Sequence, residues 1–310
     1  MPTPVHHSGA RFLRTHCTTT GAVQTTETDL PVSDYVTTQS DDVSEMPAAT
    51  QRARPIDGVA DFWNRIDAAE HVSLFLDFDG TLAPFHEDRL QAFPLPGTVE
   101  AIKAIDAEDW VSVAIVSGRP ISEILLLLGD IGTTIVGAHG YEVHRPGGVR
   151  HVITILPEQA TVLDAAYIEA LELFEPARVE RKAASVAAHF RGLDPLATSE
   201  IQQELERRWR AASVSDVMEY RPFNGGLELR AAGRTKGTAI EELLALAPKG
   251  SLPIYIGDDD TDEDAFAVLE GHGIGIKVGP QDAVTKASAR VPDCESVRQL
   301  LIDWPHRRRG

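Results

Sequence analysis

Short, nearly continuous apolar segments alternate with segments of helical periodicity along much of the chain. Residues 72–76 form the first apolar run, and residues 98–107 carry apolar side chains at helical spacing. Strands that are apolar on both faces are typical of a parallel sheet covered by helices on each side. The alternation therefore predicts an α/β fold with a parallel sheet. Further strands are predicted at 111–116, 134–137, 252–256 and 274–278, and further helices at 121–128, 236–246, 263–269 and 297–301.

A different pattern interrupts this alternation between residues 141 and 231. The turn 145–148 separates 141–143 from 150–155, which predicts a hairpin. Helices are predicted at 157–174 and 195–212, half-exposed strands at 178–181 and 185–191, and further strands near 217–220 and 227–230. This mixture predicts an α+β unit with mixed sheets. The predicted domains are a core of residues 55–140 and 232–310 and an inserted unit of residues 141–231.

Residues 1–54 differ in composition from the rest of the chain. They are rich in Thr, Pro, Ser, Gln and Asp and carry no lasting apolar periodicity, which predicts a disordered tail.

The N-terminus lacks the apolar core of a signal peptide, and the longest leucine run, 125–128, is too short to span a membrane. Cys17 and Cys294 lie far apart and outside any Cys/His cluster. We therefore expect free thiols and a cytoplasmic protein.

The chain is strongly acidic, with 47 Asp and Glu against 29 Lys and Arg and a formal net charge of −18. A general nucleic-acid binder or a polybasic membrane-surface protein needs a basic surface, so the charge argues against both. An anionic small-molecule substrate remains compatible with this composition, because a binding site is local and net charge is global.

Two aspartates directly follow the first apolar run. Asp77 and Asp79 precede Gly80-Thr81, where the glycine allows a sharp backbone turn. Open parallel sheets bind ligands at the carboxyl ends of their strands, so both carboxylates are expected to face one ligand. One carboxylate can attack phosphorus, and a second can act as general acid and base. The alternative interpretation is an acidic turn that caps a strand.

The second predicted strand ends at Ser117-Gly118-Arg119, on the same sheet edge. A hydroxyl, turn amides and a guanidinium suit a phosphate group, although Ser-Gly taken alone is a common turn. A phosphoryl site with several carboxylates also needs a cation. Lys236, at the start of a core helix, and Lys182, in the inserted unit, are the two candidates.

An acidic run follows the strand at 252–256. Six of the seven residues from Asp258 to Asp264 are Asp or Glu, and their mutual repulsion requires a cation. Mg²⁺ prefers oxygen ligands from a few carboxylates and substrate phosphate. Asp258 and Asp262, four residues apart, are predicted as a metal ligand and its support. An acidic helix N-terminus is the alternative, and it suffices for Asp260 and Asp264.

These motifs, in this order, resemble those of the haloacid dehalogenase superfamily of aspartyl-phosphate phosphatases. Within it, the chain resembles the trehalose-6-phosphate phosphatases on the motif Gly-Asp-Asp-x-Thr-Asp-Glu-Asp at 257–264 and on the stretch at 179–191. The resemblance covers about residues 60–303 and implies a Rossmann-like core with an inserted α/β cap of the C2 type. Ala183 departs from the family, which usually has glycine after the cap lysine.

The resemblance also implies residue roles. Asp77 would be the nucleophile and Asp79 the general acid and base, with its carbonyl on the metal. Ser117 and Lys236 would hold the transferring phosphoryl group. The implied metal ligands and their support are Asp77, Asp79, Asp258 and Asp262. The predicted substrate-binding residues are Ser117, Gly118 and Arg119 at the phosphate and Lys182, His189, Arg191 and Glu228 at the sugar.

The implied activity is Mg²⁺-dependent hydrolysis of trehalose 6-phosphate through an aspartyl-phosphate. Two alternatives stay open: a phosphatase for another sugar phosphate, such as sucrose 6-phosphate, and an inactive sugar-phosphate sensor, which would be expected to lack a core residue. Some relatives carry a transferase upstream, and residues 1–54 are too short for one. We therefore expect a stand-alone, monomeric phosphatase with a small-molecule substrate and no nucleic-acid or membrane partner.

Overall fold

The computed structural model describes residues 54–55, 61–214, 216–223, 225–280 and 284–304. The predicted disordered tail lies outside the described residues except for Arg54, its last residue, which begins a strand. Cys17 also lies outside the described residues. Cys294 is half-buried and free.

Three successive parts of the chain supply the helices and strands. The first contains β1 (Arg54–Pro55), α1 (Phe62–Ala68), β2 (Val72–Leu76), α2 (Thr98–Asp106), β3 (Val111–Val116), α3 (Ile121–Leu128), β4 (Thr134–Gly137), β5 (Glu142–His144) and β6 (His151–Val152). The second contains α4 (Pro157–Leu173), β7 (Val179–Arg181), β8 (Ser185–His189), α5 (Pro195–Ala212), β9 (Met218–Phe223) and β10 (Gly226–Ala231). The third contains α6 (Lys236–Leu244), β11 (Leu252–Gly257), α7 (Glu263–Leu269), β12 (Ile274–Val278), β13 (Ala289–Val291) and α8 (Cys294–Asp303).

Strands from the first and third parts form one nine-stranded sheet in the order β1-β13-β12-β11-β2-β3-β4-β5-β6. All neighbours from β1 to β4 are parallel, and β5 and β6 are added antiparallel at one edge. The predicted α/β fold with a parallel sheet is confirmed. Because β2 pairs with both β11 and β3, the carboxyl ends of these three strands are neighbours.

Helices cover the two faces of this sheet, which explains why its central strands are apolar on both sides. Leu74 of β2 belongs to the same buried cluster as Ile102 of α2. Its neighbour Phe75 points the other way and belongs to the cluster of Ile240 in α6 and Phe266 in α7. Each such buried side chain contributes about 1.5–3 kcal/mol relative to exposure.

The second part of the chain forms a separate four-stranded sheet in the order β7-β8-β10-β9. Every pairing in it is antiparallel, so the prediction of mixed sheets was wrong. Short connections join β7 to β8 and β9 to β10, and a short connection permits only antiparallel pairing. Leu163 of α4, Trp209 of α5 and Leu229 of β10 lie in one buried cluster of their own.

The hairpin of β5 and β6 lies in the first sheet, although the sequence placed it in the inserted unit. Val143 of β5 pairs antiparallel with Val136 of β4, which extends the edge of the parallel sheet. The predicted boundary at residue 141 therefore does not follow the sheets. We propose instead that the inserted cap begins after residue 152.

The same hairpin places a buried carboxylate at the start of α3. The Glu142 Oε2 atom accepts a hydrogen bond from the backbone N–H of Ile121 at 2.8 Å, and Oε1 pairs with Arg150. A carboxylate at a helix N-terminus satisfies a free N–H and interacts favourably with the helix dipole. Since α3 directly follows the loop at Ser117–Pro120, Glu142 also holds that loop in place.

Replacing Glu142 with alanine should destabilise the fold. We expect Glu142→Ala to lower the free energy of unfolding by about 2 kcal/mol, because the buried N–H of Ile121 loses its charged acceptor. Urea unfolding followed by circular dichroism measures this change. Glu241→Ala, at an exposed position of α6, is the control and should change it by less than about 0.5 kcal/mol. Equal unfolding free energies for the two variants would contradict this role.

Candidate active site

The predicted polar residues lie at one edge of the sheet, where three neighbouring strands end. Asp77 directly follows β2, Ser117 follows β3, and Asp258 follows β11. The N–H of Asp77 donates to the carbonyl of Ile256 at 2.9 Å, which joins the ends of β2 and β11. The motifs that lie far apart in the sequence therefore meet in one place.

Three carboxylates cluster at this edge. Asp77, Asp258 and Asp262 each offer an oxygen atom, and these oxygens lie within 4.8 Å of one another. Asp262 is fully buried and accepts hydrogen bonds from the Tyr255 hydroxyl and, at 2.8 Å, from the Asp259 N–H. Asp262 is therefore held by the protein itself, whereas the buried Oδ1 of Asp258 has no hydrogen-bond partner.

Lys236 supplies the positive charge of this cluster. Its Nζ lies 2.8 Å from Asp77 Oδ1 and 2.6 Å from Asp262 Oδ1, and α6 begins at this residue. Burial by itself would lower the pKa of Lys236, but the carboxylates of Asp262 and Asp77 raise it above its ordinary value. Of the two candidate lysines, Lys236 is the one that contacts the acidic cluster.

One ammonium group does not balance three carboxylates. Burial, followed by the nearby charge of Asp262, raises the pKa of Asp77 well above its ordinary value. The same two causes raise the pKa of Asp258 to about 8. A divalent cation with oxygen ligands would offset this repulsion. The convergent oxygens and the unpartnered Oδ1 of Asp258 fit such an ion.

A glycine allows this close approach. Gly80 has a φ of +70°, and a Cβ atom at this position would lie 2.2 Å from Oδ2 of Asp258. The Gly80 N–H donates to the carbonyl of Ala83, which closes the turn after Asp79. Only a residue without a side chain fits between the two acidic segments.

Arg119 forms a bidentate pair with Asp79. Its Nε and Nη2 donate to the two carboxylate oxygens of Asp79 at 2.6 and 2.7 Å, and its Nη1 donates to the carbonyl of Arg89 at 2.8 Å. This pairing was not predicted from the sequence, and the predicted contact of Arg119 with phosphate stays a prediction. Ser117 is buried in the same loop, where its Oγ accepts a hydrogen bond from the Arg119 N–H at 3.2 Å.

A cavity extends from the acidic cluster to the second sheet. The sequence-predicted residues that line it are Asp77, Asp79, Gly118, Arg119, Lys182, His189, Arg191, Glu228, Lys236 and Asp258. Lys182 donates to Glu228 Oε1 at 2.8 Å and to the carbonyl of Gly118 at 3.2 Å. The structure thus brings the four predicted sugar-binding residues into the same cavity as the acidic cluster.

Sequence reasoning missed several residues of this cavity. Glu180 pairs with Arg89 at 3.1 Å and with His189 at 3.2 Å, and His139 contacts Glu228 at 3.0 Å. Phe85 and Phe223 also line it. Of these, only Glu180 stands in a stretch that the sequence had singled out. The others carry no motif, since their roles depend on contacts between distant segments.

Comparisons with known proteins agree with this architecture. The C-terminal domain of a trehalose-6-phosphate phosphatase from C. albicans superposes with a TM-score of 0.70 at 19% identity, covering 83% of this chain and 99% of that domain. A haloacid dehalogenase-like hydrolase from B. subtilis superposes with a TM-score of 0.52 at 16% identity, covering 74% of this chain and 98% of that one. The fold is therefore that of the haloacid dehalogenase-like hydrolases.

Within the haloacid dehalogenase-like hydrolases, sequence comparison identifies one family. The trehalose-phosphatase family model matches residues 75–295. A trehalose-phosphate phosphatase of Mycobacterium tuberculosis is 30% identical over 255 residues, which cover 80% of this chain. The chain belongs to the trehalose-phosphatase family. It spans 62% of the length of the M. tuberculosis relative.

Among the described residues, no helix is both long and apolar enough to cross a membrane.

Proposed function

We propose that the chain is a Mg²⁺-dependent phosphatase that hydrolyses trehalose 6-phosphate to trehalose and phosphate. One observation carries the proposal: a single cavity is lined both by the Asp77–Lys236 pair and by charged residues of the second sheet. Such a cavity suits a substrate with a phosphate at one end and hydroxyl groups at the other. The family membership of the chain supports the choice of trehalose 6-phosphate.

The chemistry assigns one role to each carboxylate next to β2. Asp77 attacks phosphorus, the bond between phosphorus and the sugar O6 breaks, and Asp79 donates a proton to that oxygen. Asp79 then removes a proton from the water that cleaves the aspartyl-phosphate, which releases phosphate and restores Asp77. Lys236 balances charge at the phosphoryl group, and Mg²⁺ held by Asp77 and Asp258 would add to this stabilisation.

The pairing of Asp79 with Arg119 adds a condition to this sequence of steps. Both carboxylate oxygens of Asp79 accept hydrogen bonds from Arg119. A protonated carboxyl oxygen is a weaker acceptor than a carboxylate oxygen, and its O–H must point towards the leaving oxygen instead of the guanidinium. We therefore propose that at least one of these two hydrogen bonds weakens when Asp79 acts as an acid.

The second sheet provides the sugar contacts in this proposal. Glu180, Lys182, His189 and Glu228 present both donors and acceptors to the cavity, as sugar hydroxyl groups require. Contacts such as the one between Lys182 and the Gly118 carbonyl hold the second sheet against the core. In this proposal, the second sheet limits the access of bulk water to the reacting phosphate. We further propose that the enzyme works as a monomer in the cytoplasm.

A panel of sugar phosphates tests the activity and its metal requirement together. We expect phosphate release from trehalose 6-phosphate to exceed that from sucrose 6-phosphate and glucose 6-phosphate at least tenfold in kcat/KM, about 1.4 kcal/mol of transition-state discrimination. EDTA should abolish the activity, and added Mg²⁺ should restore it, because the carboxylate cluster requires a cation.

Three results would count against the proposal. A tenfold preference for another phosphosugar would assign a different substrate to the same chemistry. Full activity in EDTA would remove the metal from the mechanism. Tight binding of trehalose 6-phosphate by isothermal titration, without turnover, would indicate a sensor instead of an enzyme.

A further inference from the structure

His139 occupies an unusual position at the junction of the two sheets. It follows β4, and both His139 (φ 55°) and Ala138 (φ 48°) adopt left-handed backbone conformations without being glycine. Residues other than glycine rarely adopt this backbone region, and those held in it cluster at functional sites. His139 is 7% exposed, so its conformation is fixed by its surroundings.

The side chain of His139 connects the core to the second sheet. Its Nε2 lies 3.0 Å from Oε2 of Glu228 on β10. Burial by itself would raise the pKa of Glu228, but Lys182 and His139 hold it well below its ordinary value. Glu228 is therefore an ionised acceptor, and the His139 Nε2 must carry the proton and donate it. Burial lowers the pKa of His139, and its Nδ1 has no partner, as expected for a neutral ring.

Glu228 is the centre of a small network that faces the cavity. Its Oε1 accepts from Lys182 at 2.8 Å and from the Ser185 hydroxyl at 2.7 Å, while its Oε2 is held by His139. The same imidazole ring fills the space beside Gly118, where a Cβ atom would lie 2.6 Å from the His139 ring. His139 therefore contacts both the loop at the predicted phosphate site and the carboxylate predicted to bind sugar.

We propose that His139 is a positioning residue for the sugar. By donating a hydrogen bond to Glu228, His139 fixes the Glu228–Lys182 pair at the cavity wall relative to the loop at 117–119. This inference rests on the proposed function, since it concerns recognition of the sugar part of a phosphosugar. It predicts that replacing His139 lowers kcat/KM more for substrates that contain a sugar than for a phosphate ester without one.

Three variants separate this role from a structural one. His139→Asn keeps a residue that tolerates the left-handed backbone but is too short to reach Glu228. His139→Gln places an amide N–H near the position of Nε2 and is the rescue variant. His151→Asn, at an exposed position of β6, is the matched control.

The readout is the ratio of kcat/KM for the wild-type enzyme's preferred phosphosugar to kcat/KM for p-nitrophenyl phosphate. We expect His139→Asn to lower this ratio at least tenfold, about 1.4 kcal/mol, mainly through a higher KM for the phosphosugar. His139→Gln should restore the ratio to within about threefold of wild type. His151→Asn should leave it unchanged.

A parallel fall for both substrates in His139→Asn, an unchanged ratio, or equal losses in the Asn and Gln variants would each overturn the proposal. These outcomes are distinct from a failure of the proposed function. In that case the wild-type enzyme itself would hydrolyse no phosphosugar better than p-nitrophenyl phosphate.

Discussion

Asp77→Asn should lower the turnover of trehalose 6-phosphate by at least about 10⁴-fold, the usual scale for loss of a covalent nucleophile. The amide cannot attack phosphorus, and the charge that pairs with Lys236 at 2.8 Å is lost. Phosphate release at saturating substrate and Mg²⁺ measures the effect. Acid-quenched wild-type enzyme should also yield a phosphorylated peptide that contains Asp77, and the variant should yield none.

Asp109→Asn is the matched control, because it makes the same chemical change at an exposed position. It should turn over trehalose 6-phosphate at the wild-type rate. Thermal unfolding of both variants checks that they remain folded. Wild-type rates in Asp77→Asn would refute the mechanism, whatever the substrate.

Gly80→Ala should lower kcat/KM by about 100-fold or more, because catalytic groups displaced by about 1 Å lose rates of that order. The added Cβ would lie 2.2 Å from Oδ2 of Asp258, so this carboxylate must leave its present position in the cluster with Asp77 and Asp262. We therefore expect the concentration of Mg²⁺ at half-maximal activity to rise as well. Mg²⁺ titration of the activity measures both effects.

Gly147→Ala separates the steric clash from backbone strain. Gly147 has a φ of +66°, close to the +70° of Gly80, but no atom lies within 4 Å of its added Cβ. Both variants should lose about 1–2 kcal/mol of unfolding free energy from the left-handed conformation. Only Gly80→Ala should lose activity. Equal activities in the two variants would show that the close approach to Asp258 is unimportant.

Much of the fold is readable from local patterns. The bounds of β2, β3, β4, α3, α5, α7 and β12 coincide with the predicted ones, because each is a short apolar run or a clear helical repeat. The strands β1 and β13 were not predicted. They are two and three residues long and contain Arg54 and Arg290, so they lack the apolar run on which the prediction depends.

The residues of the site also divide into those that local patterns predicted and those that they did not. Asp77, Ser117 and Asp258 were found because each directly follows an apolar strand, and the ends of adjacent parallel strands share one edge. The pairing of Arg119 with Asp79 could not be predicted in this way. This contact joins side chains 40 residues apart in the sequence, and no local pattern encodes it.

The alternation of apolar runs and helices was enough to establish a parallel α/β core, and the acidic motifs were enough to indicate a cation-dependent phosphoryl site. Both conclusions follow from short-range rules of burial and charge repulsion. Folding of the whole chain set the strand order, the attachment of the β5–β6 hairpin to the core sheet and the contact of His139 with Glu228. These features join segments far apart in sequence, so their energies depend on three-dimensional packing that no single segment contains.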